Sequence, residues 1–427
     1  MAQRPQAIPE LPLSPRLQLH AWAHTPTALL EQGRDLQGTT FMLRAGERDP
    51  LVVLTDSASA QAAFRQTGAD GMGAEANDVL LSLVGPTSVL VAQGADHRAR
   101  RRELRPVVNS WGRTYGKELT TLADRLVASW PTGRPVALHS HCQRLTLDLL
   151  LHSLLGTADS LAADALRELV SLDLAANRSA ERFAIDGPPP EPWPLLAARH
   201  AEFDAALYQT LAAGRPGYGA EQLGSATQGT GCLRDTLATV VITGHETAAT
   251  ALAWAIERLA HSPEATAEVE RLVQSGCRTE LERYLHLVIL ESLRQRPVIP
   301  LLTRRLSEPF NAAGHVLAEG TEVGIAAWLI HHDPDLHPQS ARFMPERFES
   351  VPGLELPRAA NADWIPFGGG TRRCLGDRFA VDVVRTGLLA LVERYALVPG
   401  SESAEHPVRQ SITIAPGAGC LVSLQPR

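Results

Sequence analysis

Along most of this chain, apolar residues recur three and four positions apart, the spacing that lines one face of a helix. Helices are expected over Leu119 to Trp130, His139 to Leu155, Ser160 to Asn177, Leu195 to Ala213 and Phe379 to Val398. The longest such run, Leu233 to His261, contains no proline and predicts a helix crossing the whole core. Elsewhere the period shortens to two. Thr39 to Ala45 and Leu51 to Thr55 read as strands joined by a Gly/Asp turn, and Phe310 to Ile325 as small strands turning at Gly314 and Gly320. A short helix over Pro26 to Gln32, capped by Thr25 and stopped by Gly33, is expected before them, and a helix over Ser57 to Gln66 behind them. Gly68 to Gly85, the proline-rich Gly187 to Pro194 and Gly214 to Gly231 read as irregular connections.

At 427 residues and 44 % hydrophobic content, the chain can build one large core or about three domains of ~150 residues. A net charge of -7 argues against a general nucleic-acid binder. The five cysteines, Cys142, Cys232, Cys277, Cys374 and Cys420, are scattered and form no C-x-x-C pair. This argues against a disulfide framework or a structural zinc site and suits a reducing compartment. The N-terminal MAQRPQAIPELPLSPR is broken by prolines and has neither an apolar signal core nor a spanning run, so a cytoplasmic chain without a membrane anchor is expected.

The densest chemistry lies in WIPFGGGTRRCLGDRFA, Trp364 to Ala380. Cys374 follows Gly368, Gly369, Gly370, Arg372 and Arg373 and precedes an apolar helical run. Glycines let backbone N–H groups approach a sulfur, and with nearby cations and a helix N-terminus they favour the thiolate needed by a metal-ligating or nucleophilic cysteine. A small buried hydrophobe is the plain alternative. Phe367, Gly370, Arg372, Cys374 and Gly376 stand at the spacing F-x-x-G-x-R-x-C-x-G, which resembles the haem-thiolate loop of the cytochrome P450 family. The resemblance implies that Cys374 is the proximal iron ligand, that Phe367, Gly368 and Gly376 belong to the cofactor cradle, and that Arg372 reaches a haem propionate.

Three more motifs follow in the family's order. In GADHRARRRELRP, His97 and Arg101 are four apart and share a helix face. That reads either as a solvated basic helix or, by resemblance, as a propionate-binding pair. Arg98, Arg100, Arg102 and Arg105 would then form a basic surface for an acidic electron donor. Thr243-Gly244-His245-Glu246-Thr247 lies mid-helix and resembles the oxygen-activation motif, Thr243 standing where Ala or Gly is commoner. Thr247 can hydrogen-bond back to the carbonyl of residue 243, opening a groove at Gly244. The resemblance makes Thr247 and Glu246 the proton-delivering pair. The hydroxyl of Thr243 either meets substrate or caps a carbonyl. HExxH zinc chemistry is excluded, because Thr-Ala-Ala follows His245-Glu246. Glu291 and Arg294, with Pro345-Glu346-Arg347-Phe348, resemble the family's E-x-x-R and P-E-R-F elements, whose Glu–Arg–Arg cluster is structural.

After Pro297 an extended edge, Val298, Ile299, Leu301 and Leu302, is expected to face cofactor and substrate, and the resemblance makes Arg304, with Arg305 as the alternative, the arginine that binds a propionate. Val240, Thr243 and Ile414 complete the expected substrate pocket, under a roof over roughly Ala175 to Ala206. His331-His332 reads as a loop feature rather than a metal site. The resemblance implies a mainly α fold with a minor β region, in one domain: a β-containing part to about residue 70, a helical core over about 85–295, and a meander with the Cys loop over about 335–380. It implies haem b, O₂ as co-substrate, and electrons from a separate ferredoxin and ferredoxin reductase. The expected function is monooxygenation, most simply hydroxylation, of a small apolar or amphipathic molecule such as a fatty acid or terpenoid, by a monomer. A peroxygenase or isomerase on the same haem, and a non-catalytic haem protein recruiting a pathway partner, are the alternatives.

Overall fold

The computed structural model describes residues 7–44, 50–66, 84–157, 217–227, 230–357, 362–410 and 412–427, with isolated positions between 160 and 209. The expected helices over Ser160 to Asn177 and Leu195 to Ala213, the Gly187 to Pro194 loop and the roof lie, but for those isolated positions, outside the described residues.

Helices α1 (Pro15–His24) and α2 (Pro26–Gln37) lead into strands β1 (Thr40–Leu43) and β2 (Leu51–Leu54) and helix α3 (Ser57–Gln66). Next come α4 (Gly94–Val127), strand β3 (Val136–Ala137), α5 (His139–Leu155), α6 (Gly219–Ala226), α7 (Thr230–Ala260), α8 (Pro263–Ser275) and α9 (Arg278–Gln295). Strands β4 (Leu302–Arg305), β5 (Phe310–Ala312), β6 (His315–Leu317) and β7 (Glu322–Ile325) precede the short α10 (Ala327–His331). Helix α11 (Asp377–Arg394) is followed by β8 (Tyr395–Pro399), β9 (Pro407–Gln410), β10 (Thr413–Pro416) and β11 (Leu421–Pro426). The described fold is mainly α, with one sheet of order β1-β2-β7-β4 and three smaller ones.

Several elements differ from expectation, among them the Gly214 to Gly231 connection, which contains helix α6, and the helix expected over Leu119 to Trp130, which is the end of α4 and stops at Val127. Helix α1 was hidden by its prolines, yet Pro15 stands at the first helical position, where no N–H is needed, and Ser14 caps the turn. Helix α2 runs through Gly33 to Gln37 and is closed by Gly38 at φ +87. Gly33 serves packing instead: a Cβ there would come within 2.2 Å of the Phe41 ring. Thr25 gives α2 no side-chain cap, because its hydroxyl turns back to the Ala21 carbonyl. Finally, the apolar run from Phe379 leaves the helix at Arg394 and pairs as β8 with β11.

Helix α7 is the axis of the core, packed on α5, α9 and α11. From α9, Arg294 grips Glu291 through two 2.7 Å hydrogen bonds, and both side chains are 0 % exposed. Arg347 Nε approaches the same carboxylate at 3.5 Å. Arg294 also donates to the carbonyls of His331 (2.7 Å) and Ser340 (2.8 Å). His331 carries the connection onward. Its Nε2 accepts the Ile365 N–H at 2.8 Å, so Nδ1 bears the proton shared with the Arg294 carbonyl at 3.1 Å. Burial, reinforced by His337, His332 and Arg294, holds the His331 pKa well below its ordinary value and keeps the ring neutral.

Glu291→Gln preserves volume but strands the Arg294 cation; unfolding in urea should show a loss of about 3–5 kcal/mol. Glu268→Gln, which frees only the surface Arg271, should leave the midpoint unmoved. Because the folded His331 ring resists protonation, its contribution is complete above about pH 6.5 and falls as the unfolded chain takes up a proton below it. His331→Gln should therefore flatten the acid side of the stability–pH curve by up to ~1.4 kcal/mol per pH unit, as read from urea midpoints across pH.

Candidate active site

The cysteine loop is shaped by its glycines. Gly368 (φ +68) and Gly370 (φ +65) adopt the left-handed conformation that turns the chain back on itself. Gly368 N–H then reaches the Ile365 carbonyl and Cys374 N–H the Phe367 carbonyl, each at 2.9 Å. The loop sits hard on α3, where a Cβ at Gly370 would lie 2.4 Å from the Phe64 carbonyl oxygen. Gly376 opens α11 as its N-cap, and its N–H is directed at the Cys374 sulfur.

Cys374 keeps accessible surface although protein surrounds it, the condition of a sulfur facing an internal space. Burial and the Asp377 carboxylate push its thiol up to about 11, against the Gly376 N–H, Arg101 and Arg373. The sequence pattern suggested a thiolate; in the protein alone desolvation outweighs one N–H and two cations. A metal ion bound at the sulfur removes the proton outright.

Around the loop lies a cluster of three arginines and a histidine. His97 and Arg101 come from one face of α4, Arg372 from the loop and Arg304 from β4. Burial, then Arg372, Arg101 and Arg98, lowers His97 to about 4, so its ring is neutral at pH 7. Arg372 is lowered to about 10 by burial and then by Arg101; it donates to the carbonyls of Val89 (3.3 Å), Leu90 (3.4 Å) and Ala92 (2.6 Å). Arg304 donates to the Thr303 carbonyl at 2.7 Å, while its Nε is buried with no partner and burial with Arg372 brings it to about 10. Arg305 is committed to Glu322 at 2.9 Å across the β4–β7 pair, which leaves Arg304 as the arginine turned to the cluster. Half-buried guanidiniums set close to one another favour an anionic partner. The cluster therefore fits a buried ligand bearing carboxylates, and with Cys374 beside Arg101 it fits the two propionates and the axial position of a haem.

The central helix supplies the other wall. Between Leu233 and Ala260 of α7, every residue is buried except Val240, Thr243, Gly244 and Thr247, which are half-buried. Their i, i+3, i+4, i+7 spacing makes one stripe of accessible surface along a helix otherwise enclosed. Thr247 Oγ1 donates to the Thr243 carbonyl and Thr243 Oγ1 to the Thr239 carbonyl, each at 2.7 Å. The Thr243 hydroxyl thus caps a carbonyl, leaving its methyl as the apolar part of the stripe. Glu246 points away from the stripe toward α5, where Gln143 Nε2 donates to its Oε2 at 2.7 Å.

The expected pocket lining does not assemble as one surface. Val240, Ile299 and Phe367 fringe the main helical core, and Leu302 lies half-buried beside Gly368. Leu301 (7 % exposed) and Ile414 (0 %) are instead packed with Phe41, Val53 and Trp328 in a separate cluster and cannot line an open pocket. The reason is the sheet: Ile414 N–H bonds the Val298 carbonyl and Trp254 Nε1 the Ile414 carbonyl, turning that tip inward. His331, read as a loop feature, instead closes α10, and among the described residues no group of three or more His, Cys, Asp or Glu could hold a metal. Sequence reasoning missed the partners of Glu246 and the clamp of Arg372 on 89–92, because contacts across 103 and 280 residues leave no local signal. Arg102 and Arg105 are exposed on α4. No described helix is long and apolar enough to cross a membrane.

A sequence model described as cytochrome P450 matches residues 227–419. Among curated relatives, a protein of Mycobacterium tuberculosis and Mycobacterium bovis provisionally named cytochrome P450 135B1 is 30 % identical over 408 residues, covering 91 % of this chain and 85 % of the relative. One provisionally named cytochrome P450 138, from Mycobacterium bovis, is 30 % identical over 400 residues, with 88 % and 87 % covered. Another from Mycobacterium tuberculosis, provisionally cytochrome P450 137, is 27 % identical over 408 residues, with 88 % and 81 % covered.

If Arg304 answers a propionate, Arg304→Leu should speed haem transfer to apomyoglobin by about tenfold or more, the worth of one hydrogen bond to a charged group at ~1.5–3 kcal/mol. Arg305→Leu, which breaks the pair with Glu322, should leave the transfer rate unchanged.

Proposed function

This chain belongs to the cytochrome P450 family, a haem monooxygenase that binds haem b and uses O₂ as co-substrate, and from that premise we propose how its own residues divide the work. Cys374 is the axial ligand. His97, Arg101, Arg304 and Arg372 hold the propionates, while Phe367 and the glycines of the loop keep water from the sulfur. Bound haem supplies the redox iron at which O₂ is split, one oxygen atom going to substrate and the other to water.

That stoichiometry requires two electrons and two protons per turnover. Electrons come from redox partners, and we assign a ferredoxin-type donor to the basic surface around Arg102 and Arg105, which suits an acidic protein. Protons need groups that hold them close to a water-poor centre. Thr247 lies on the accessible stripe of α7, and its hydroxyl, already donating to the Thr243 carbonyl, can turn to orient a proton or a water. Glu246, its chain neighbour, is the acid that replenishes it. The stripe itself carries the reading: between Leu233 and Ala260 of an otherwise buried helix, the four half-buried residues are Val240, Thr243, Gly244 and Thr247. The methyl of Thr243 and the side chains of Val240 and Ile299 favour a small apolar or amphipathic substrate, with hydroxylation the simplest outcome. A fatty acid or terpenoid meets that description.

The reduced, carbon-monoxide-treated protein should show a strongly red-shifted Soret band that Cys374→Ser abolishes; a histidine-type band in both proteins would overturn the ligand assignment. With a surrogate ferredoxin and reductase, Thr247→Ala and Glu246→Gln should each divert electrons to hydrogen peroxide or slow turnover by about tenfold or more. Equal rates with hydrogen peroxide alone and with the electron donors would favour a peroxygenase.

A further inference from the structure

Glu246 is buried against α5, among groups that can hold or pass a proton. Its Oε2 accepts Gln143 Nε2 at 2.7 Å. Its Oε1 lies 3.5 Å from Thr250 Oγ1, one helical turn along α7, and 3.6 Å from His139 Nε2. His139 Nε2 is in turn 3.3 Å from Thr250 Oγ1. Imidazole, hydroxyl and carboxylate therefore stand in sequence, each within reach of the next. The separations exceed the ~2.7 Å of a formed O–H···O bond, and a small rotation of Thr250 or one water closes them. Catalytic hydrogen bonds are commonly long before the productive complex forms.

Position distinguishes His139 from the other neighbours. It is the first residue of α5, between buried Leu138 and exposed Ser140, and keeps 6 % of its surface accessible. His245 Nε2 is also near Glu246, at 3.8 Å, but it lies in mid-helix, 3 % exposed. Gln143 is an amide that cannot carry a proton and serves to orient the carboxylate. Thr250 is 0 % exposed, and its hydroxyl, between His139 and Glu246, can pass a proton from donor to acceptor.

Resting on the reading of Glu246 as the proton-supplying acid, we propose that His139 and Thr250 are positioning residues that form the proton path into it, running from the start of α5 through His139 and Thr250 to Glu246. One ring nitrogen of His139 takes a proton from outside as Nε2–H passes to Thr250 Oγ1 and the Thr250 proton passes to Glu246 Oε1. Each passage moves one proton and no electrons. Burial lowers the His139 pKa to about 4, so the ring is neutral at pH 7 and can accept at one nitrogen while donating from the other.

The test uses the haem-loaded protein with surrogate ferredoxin and reductase. Thr250→Val removes the hydroxyl but keeps the shape, and His139→Gln keeps a donor but ends the relay. Both should release several-fold more hydrogen peroxide per electron pair and show a larger solvent deuterium effect, with haem content and the carbon-monoxide band unchanged; Thr250→Ser should restore wild-type values. A second readout needs no turnover. In the diamagnetic, carbon-monoxide-bound form with ¹⁵N-labelled histidine, His139 should be neutral with its proton on Nε2, and Thr250→Val should shift that tautomer. If Glu246→Gln matches wild type, the underlying reading of the acid fails. If Glu246→Gln is defective while the Thr250 and His139 variants match wild type in peroxide release and isotope effect, the path alone is overturned.

Discussion

Burying Glu291 and Arg294 together, with neither side chain reaching water, obliges the surrounding chain to supply their remaining hydrogen bonds, since an ion pair removed from solvent repays its desolvation only when fully satisfied. Those bonds are drawn from distant segments. Arg294 takes the carbonyls of His331 and Ser340, and Glu291 accepts the Met344 N–H. His331 extends the lattice to Ile365, two residues before Phe367, and Trp364 Nε1 reaches back to the Leu290 carbonyl. The position of the cysteine loop is thus inherited from an ion pair that touches no part of the reaction.

The candidate active site follows the opposite rule. Its cations are set against one another: Arg304 Nε has no partner, and Arg101 and Arg372 repel each other. An interior that neutralises its structural ions so thoroughly leaves a cationic cluster in place only where something else balances it. The same contrast runs along α7, which is sealed against α5, α9 and α11 on its other faces and open on the Val240–Thr247 stripe. Stability and function occupy different faces of one helix.

Much of this was legible in the sequence where the cause is local. The bounds of α5 follow from periodicity, and α7 nearly so, because apolar spacing along a helix needs no knowledge of its neighbours. The Thr247 bond to the Thr243 carbonyl follows from the reach of a hydroxyl over one turn. Where a residue answers to a distant partner, local rules misled. Gly33 looked like a helix stop and is a seat for Phe41; Leu301 and Ile414 looked like pocket lining and are core. Arg305, the alternative to Arg304, is engaged by Glu322 instead.

What the sequence determined by itself was the chemistry: a glycine-flanked Cys374, the Thr243–Thr247 motif, the E-x-x-R element and a predominantly helical chain, all set by residue type and short spacing. Only the tertiary structure decided the environment of those groups. Burial, not the loop pattern, governs the protonation of Cys374; the turn of α7 sends Glu246 to His139, Gln143 and Thr250 rather than to the stripe. Such outcomes depend on desolvation and on contacts between residues a hundred or more positions apart, and neither is written in any local stretch of chain.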